Sequence, residues 1–183
     1  MKKILTIAAM SAAVLTAGAQ KSVQGSRFFD NWSVGVVGGG IVKTSHTKFF
    51  KGIKPVAGVE LSKQVTPILG FTGQLTAAAK VTPSANLVDA TNLSLIARVN
   101  LSNAICGYKG QPRLFEVEAA IGAGWGHDYY NSSMGSDISY LTSKYGFNFN
   151  FNLGQLKAWT VSLKPAIVYN MNKNANKELG YNV

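Results

Sequence analysis

A chain of 183 residues is long enough for one domain, and its 46% hydrophobic content excludes a disordered polymer. Only 14% of the residues are charged, against about 25% in an ordinary soluble protein. The formal charge is +10, and Cys106 is the only cysteine, which excludes an internal disulfide and a thiolate metal cluster.

The N-terminus reads as an export address. Lys2 and Lys3 form a basic start, residues 4–16 an apolar run, and Ala17-Gly18-Ala19 a small-x-small cleavage site, so residues 1–19 are expected to be a Sec signal peptide and residues 20–183 the mature domain. A membrane helix is the competing reading, but residues 4–19 fall short of the roughly 20 that a helix needs to cross a bilayer. Loss of Lys2 and Lys3 leaves a charge of +8. In an exported chain that charge points to lipid headgroups and lipopolysaccharide phosphates as anionic neighbours, and not to nucleic acid.

The mature chain alternates with a period of two. Residues 31–42 are expected as a first strand, with Trp32, Val34 and Val36 on one face and Gly38-Gly39-Gly40 permitting a bulge. A long loop over 43–53 follows, then a second strand over 54–63, a turn at 64–67 ending in Pro67, and a third strand over 68–77. A second long connection covers 78–88. The fourth strand, 89–101, sets Leu93, Leu95, Ala97 and Val99 against Asn92, Ser94 and Arg98, and residues 102–112 return the chain.

The fifth strand, 113–126, has the clearest pattern. Phe115, Val117, Ala119, Ile121, Ala123 and Trp125 fall on one face, while Glu116 and Glu118 share the other. Its fourteen residues exceed the 5 or 6 common in soluble strands and reach the roughly 9 to 11 of a membrane-crossing one. A polar loop over 127–137, a sixth strand over 138–151, a turn near 153–156 and a seventh strand over 157–170 complete the series. Pro165 predicts a bulge in the last strand. The Asn-rich residues 171–183 read as loop with at most the start of another strand. No segment has helical periodicity, which excludes α/β and bundle folds.

Long connections follow the first, third, fifth and seventh strands, short turns the second and sixth, and an intermediate one the fourth, as in outer-membrane barrels with periplasmic turns and external loops. Trp32, Phe115, Phe149, Phe151 and Trp159 would form one aromatic girdle; Trp125, Tyr129, Tyr130, Tyr140 and Tyr169 would form the other. The inward faces carry Glu60, Glu116 and Glu118 against Arg98, Lys144 and Lys164, a balance that predicts an ion-paired lumen. The alternative is a soluble barrel or sandwich with one solvent face, where charges need no balance.

Three runs carry a family likeness: Asn100-Leu101-Ser102-Asn103; the stretch from Gly107-Tyr108-Lys109-Gly110 through Arg113-Leu114-Phe115-Glu116-Val117; and Phe147-Asn148-Phe149-Asn150-Phe151-Asn152-Leu153-Gly154. The chain resembles the small outer-membrane porin and OmpA-like β-barrel proteins of Gram-negative bacteria. The resemblance implies an all-β, antiparallel, up-and-down transmembrane β-barrel of the eight-stranded type, often followed by a periplasmic peptidoglycan-binding domain. About seven strands are legible here, and the end Tyr181-Asn182-Val183 lacks the aromatic-ended final strand of such barrels, so the domain is expected to be incomplete at its C-terminus.

The expected function is a structural or envelope-anchoring role in the outer membrane. A narrow porin-like channel for small solutes and a surface-loop adhesin are the alternatives; an eight-stranded interior is about filled by side chains, which favours the structural role over the channel. Lys43, Lys48, Lys51 and Lys54 are candidate lipopolysaccharide contacts. Neither the glycine run at 38–40 nor Gly107–Gly110 precedes a helix that would make a phosphate loop. His46 and His127-Asp128 beside Ser132-Ser133 fix no nucleophile, base and orienting acid, so no enzyme activity, cofactor or metal is expected.

Overall fold

A computed structural model describes residues 14–17, 28–41, 53–79, 88–131, 136–154 and 157–171. It is all-β and antiparallel, with strands β1 (Val14–Ala17), β2 (Trp32–Ile41), β3 (Lys54–Gln64), β4 (Leu69–Ala79), β5 (Val88–Asn100), β6 (Phe115–Asn131), β7 (Ser136–Leu153), β8 (Trp159–Leu163) and β9 (Ala166–Asn170). One short helix, α1 (Leu101–Cys106), joins β5 to β6. Among the described residues no helix is long and apolar enough to cross a membrane, which says nothing about crossing by strands.

Each strand from β2 to β7 pairs with its successor, as an up-and-down meander requires. β7 then pairs with β8 through Phe149–Leu153 and with β9 through Thr142–Gly146, so β8 and β9 are two halves of one strand. β1 pairs with β8 on one side and β2 on the other, and the ladder returns to its start. The ring therefore has eight strand positions. Seven match the seven segments of the alternation; the eighth is held by Val14–Ala17, within residues 1–19 read as leader, while residues 172–183 lie outside the described residues.

Several local expectations are overturned. Leu101 opens α1 instead of closing a strand, because Asn100 caps the helix by accepting a hydrogen bond from Asn103 N, and Gly107 ends it at φ 70°. Pro165 makes no bulge: Leu163 lies opposite Phe149 and Ala166 opposite Gly146, so both strands advance by three residues. The proline only removes one donor, and its own carbonyl still accepts from Phe147 N at 3.1 Å. The glycines of β2 also pair with β3 without a register shift. The true irregularities lie at Ala78/Ala79 and between Asp128 and Asn131.

The loop expected over 127–137 is mostly strand, since β6 and β7 run on to Asn131 and from Ser136. At the opposite end the β3–β4 turn is held by Thr66, whose hydroxyl accepts from Leu69 N at 2.9 Å. Arg113 fastens α1 there, its guanidinium donating to Ser102 O, Cys106 O and Gly107 O at 2.8, 3.1 and 2.5 Å. These features distinguish a turn end, with α1 across it, from a loop end.

Burial is inverted relative to a soluble domain. Among the described residues Ile96 and Ile138 are the buried large apolar side chains, whereas Glu60, Thr72, Gln74, Asn100, Glu118 and Asn148 are all at most 5% exposed. On the outside, Leu93, Leu95, Ile121, Leu141, Phe147 and Trp159 are half or more exposed. From β2 to β8 the core is thus the polar face of the strands, and the apolar face looks out.

Candidate functional site

The site is the lumen, built from inward residues at every second position of the strands. Its centre is Glu60 on β3. Lys164, at the break between β8 and β9, reaches across to both Glu60 oxygens at 2.7 and 2.8 Å. Gln74 on β4 donates to Glu60 Oε2 at 3.3 Å and accepts from Lys144 Nζ of β7 at 2.6 Å. These four side chains form one layer across the barrel, in which two cations share one carboxylate and one amide.

A second layer lies towards the turn end. Arg98 on β5 donates to both oxygens of Glu118 on β6, at 3.3 and 3.1 Å, and Asn148 on β7 donates to Glu118 Oε2 at 3.0 Å. Gly70 leaves room for that guanidinium, since a Cβ there would stand 2.9 Å from an Arg98 Nη. Glu116 completes the carboxylates but has neutral donors, Arg113 N at 3.2 Å and Asn152 Nδ2 at 3.3 Å. All six charged residues assigned to the lumen are therefore inward, and the structure joins four of them as Glu60–Lys164 and Arg98–Glu118 ion pairs. Lys144 meets an amide and Glu116 neutral donors.

The amides and hydroxyls around these charges carry more of the lumen network than the charge balance predicts. Ser162 donates to Asn150 Oδ1 at 2.6 Å, Thr160 to Asn152 Oδ1 at 2.7 Å, and Asn92 to Thr142 Oγ1 at 3.1 Å; the Ser62 and Thr72 hydroxyls meet at 2.7 Å. The signal was the run Asn148, Asn150, Asn152, whose spacing of two puts three amides on the inward face. A cavity of about 150 Å³ opens below the central layer, lined by Glu60, Lys164, Arg98, Glu118, Asn103 and Tyr108 among others. Its lining includes Glu60 and Lys164 but neither Gln74 nor Lys144, so it stops at the central layer.

No family model, curated protein or solved structure matches this chain. The arrangement must therefore be judged by its own chemistry.

Of the basic cluster proposed for lipopolysaccharide, Lys43, Lys48 and Lys51 lie outside the described residues. Lys54 forms an ion pair with Asp89 and is half engaged already. His46, Ser132 and Ser133 also lie outside the described residues. His127 stacks on Trp125 at 5.6 Å and meets Tyr129 edge-on at 4.7 Å. Its Nδ1 is 2.9 Å from Ser139 Oγ, and an Asp137 carboxylate oxygen stands 3.6 Å from Nε2, beyond hydrogen-bond reach. Asp128 instead accepts from Tyr140 OH at 2.9 Å. Tyr140 lies against the inward Gly126 and does not belong to the outer girdle; the side chain of Tyr130 is outside the description. Among the described residues no group of three His, Cys, Asp or Glu could hold a metal ion.

Proposed function

We propose that the chain is an outer-membrane β-barrel protein of a Gram-negative bacterium, with a structural or envelope-anchoring role and a lumen filled by an ion-paired polar network. The inverted burial carries this reading. A soluble barrel buries its apolar face, because each exposed Å² of apolar surface costs about 25 cal/mol in water. Here the polar faces converge on one another and, Ile96 and Ile138 apart, the large apolar side chains described from β3 to β8 look outward. Lipid is the solvent in which that arrangement is favourable, and a ring of strands leaves few backbone groups unpaired in it. Its partners on this reading are outer-membrane lipid and lipopolysaccharide, the latter through Lys43, Lys48, Lys51 and Lys54; contact with peptidoglycan would need a domain outside this chain.

The central layer supports a plug over a pore. A solute would have to break Glu60–Lys164 and displace Gln74 and Lys144. The expected outcome is fractionation with outer membrane and no channel events in planar bilayers, with conductance appearing when Glu60→Ala and Lys164→Ala are combined. Recovery in the soluble periplasm would overturn the membrane assignment. Steady conductance of the unaltered protein would instead favour the narrow channel.

A further inference from the structure

The charges lining the turn-end cavity do not all find one another. Three carboxylates face it, Glu60, Glu116 and Glu118, and three cations, Arg98, Lys157 and Lys164. Lys164 takes Glu60 and Arg98 takes Glu118, which leaves Glu116 and Lys157. Among the described residues these two form no ion pair, with each other or with a third group. Glu116 is 7% exposed, and its donors Arg113 N and Asn152 Nδ2 stand at 3.2 and 3.3 Å, beyond the roughly 2.7–2.9 Å of a charged partner. A carboxylate buried without a cation is costly.

A second acceptor is unused beside it. Asn103 of α1 is 6% exposed and lines the same cavity. Its Nδ2 donates to Pro67 O at 2.9 Å, which fixes the orientation of the amide, and its Oδ1 has no hydrogen-bond partner among the described residues. Ser102 Oγ accepts from Val117 N at 2.9 Å and so holds α1 against the strand that carries Glu116. An ammonium group suits both acceptors, with a charge for Glu116 and further N–H donors for Asn103. A hard divalent cation, which takes about 6–8 oxygens and several charges, suits them less.

We propose that the cavity binds a small zwitterion of the amino-acid class, its ammonium on Glu116 and Asn103 and its carboxylate on Lys157. A lining of equal and opposite charge favours a ligand that is neutral as a whole and charged at its ends. The volume of about 150 Å³ admits such a molecule. Tyr108, Pro112 and Lys157 line the cavity from the connections at the turn end, where the ligand enters. The inference rests on the lumen and holds whether lipid or water meets the outer face.

Titration of the full chain in micelles tests it, read by NMR on the side-chain amide of Asn103 and the backbone amide of Arg113. Glycine and γ-aminobutyrate offer two separations of ammonium and carboxylate; methylammonium and acetate offer one charge each. One of the zwitterions is expected to saturate in the millimolar range, about tenfold more tightly than either single ion. Glu116→Gln and Lys157→Met are each expected to weaken it about tenfold. Methylammonium binding as tightly as the better zwitterion would reduce the cavity to a cation site and overturn the proposal. Absence of saturation, or an unchanged affinity in either variant, overturns it too. If a variant does not fold, the four probes on the unaltered protein decide alone.

Discussion

Glu60 shows how costly a lumen of this kind is to disturb. Its side chain is 1% exposed and Lys164 is 16% exposed, so Lys164→Met would strand a carboxylate with one amide donor and no solvent. Breaking a buried pair at one partner costs about 3–5 kcal/mol, while replacing both costs far less. Urea unfolding in micelles should therefore show a large loss for Lys164→Met and a partial recovery when Glu60→Gln is added. Additive losses would mean that the two side chains do not form a pair. The inward position of both residues was legible from parity, since one face of a strand is fixed by odd and even numbering. Their partnership was not. Glu116 and Glu118 are equivalent in that pattern, yet only Glu118 receives Arg98, because Asn100 pairs with Glu118 and places Arg98 one step away on the same inward face. Register across the ring decides this, and nothing local to either strand encodes it.

Helix α1 carries its sequence signal in its caps alone. Asn100 as cap and Gly107 in a left-handed conformation bracket six residues, too few to show a helical period. What holds α1 over the turn end is Arg113, whose guanidinium binds Ser102 O and the terminal Cys106 O of the helix and Gly107 O beyond it. Hydrogen bonds from a charged group contribute about 1.5–3 kcal/mol when shielded and less in water. Arg113→Ala is thus expected to raise hydrogen exchange or proteolysis across residues 101–112 about tenfold while leaving the midpoint of global unfolding nearly unchanged. A matching drop in global stability would show that the helix is part of the cooperative core. The extension of the β6–β7 hairpin is hidden in the sequence for a different reason. Polar residues after Gly126 signal departure from the apolar face, not departure from the ladder, and Asp128 still lies opposite Ile138. At 17 and 18 residues these strands exceed the roughly 9–11 that cross a bilayer, so their tips project beyond it on the membrane reading.

Across the whole molecule the decisive property is which face meets which solvent. Alternation made the all-β, antiparallel ring legible, because a sustained period of two leaves no other fold class, but alternation is symmetric with respect to inside and outside. Only curvature, set by closure, tells which face is enclosed. Here the enclosed face holds the charges, so the outward face can be tested directly. Leu95 and Ile121, at mid-height on β5 and β6, are 64% and 54% exposed; Leu153, at the turn end of β7, is 43% exposed. In lipid, arginine on the outer face costs about 2–4 kcal/mol at the midplane and about 0–1 near the interface. Leu95→Arg and Ile121→Arg should each lower folding stability in phospholipid vesicles by the larger amount, and Leu153→Arg by the smaller. In water a surface arginine at any of the three sites changes stability by no more than about 0.5 kcal/mol. A depth profile is therefore specific to a bilayer. Equal small losses at all three positions would return the chain to an aqueous barrel whose apolar face is covered by another protein.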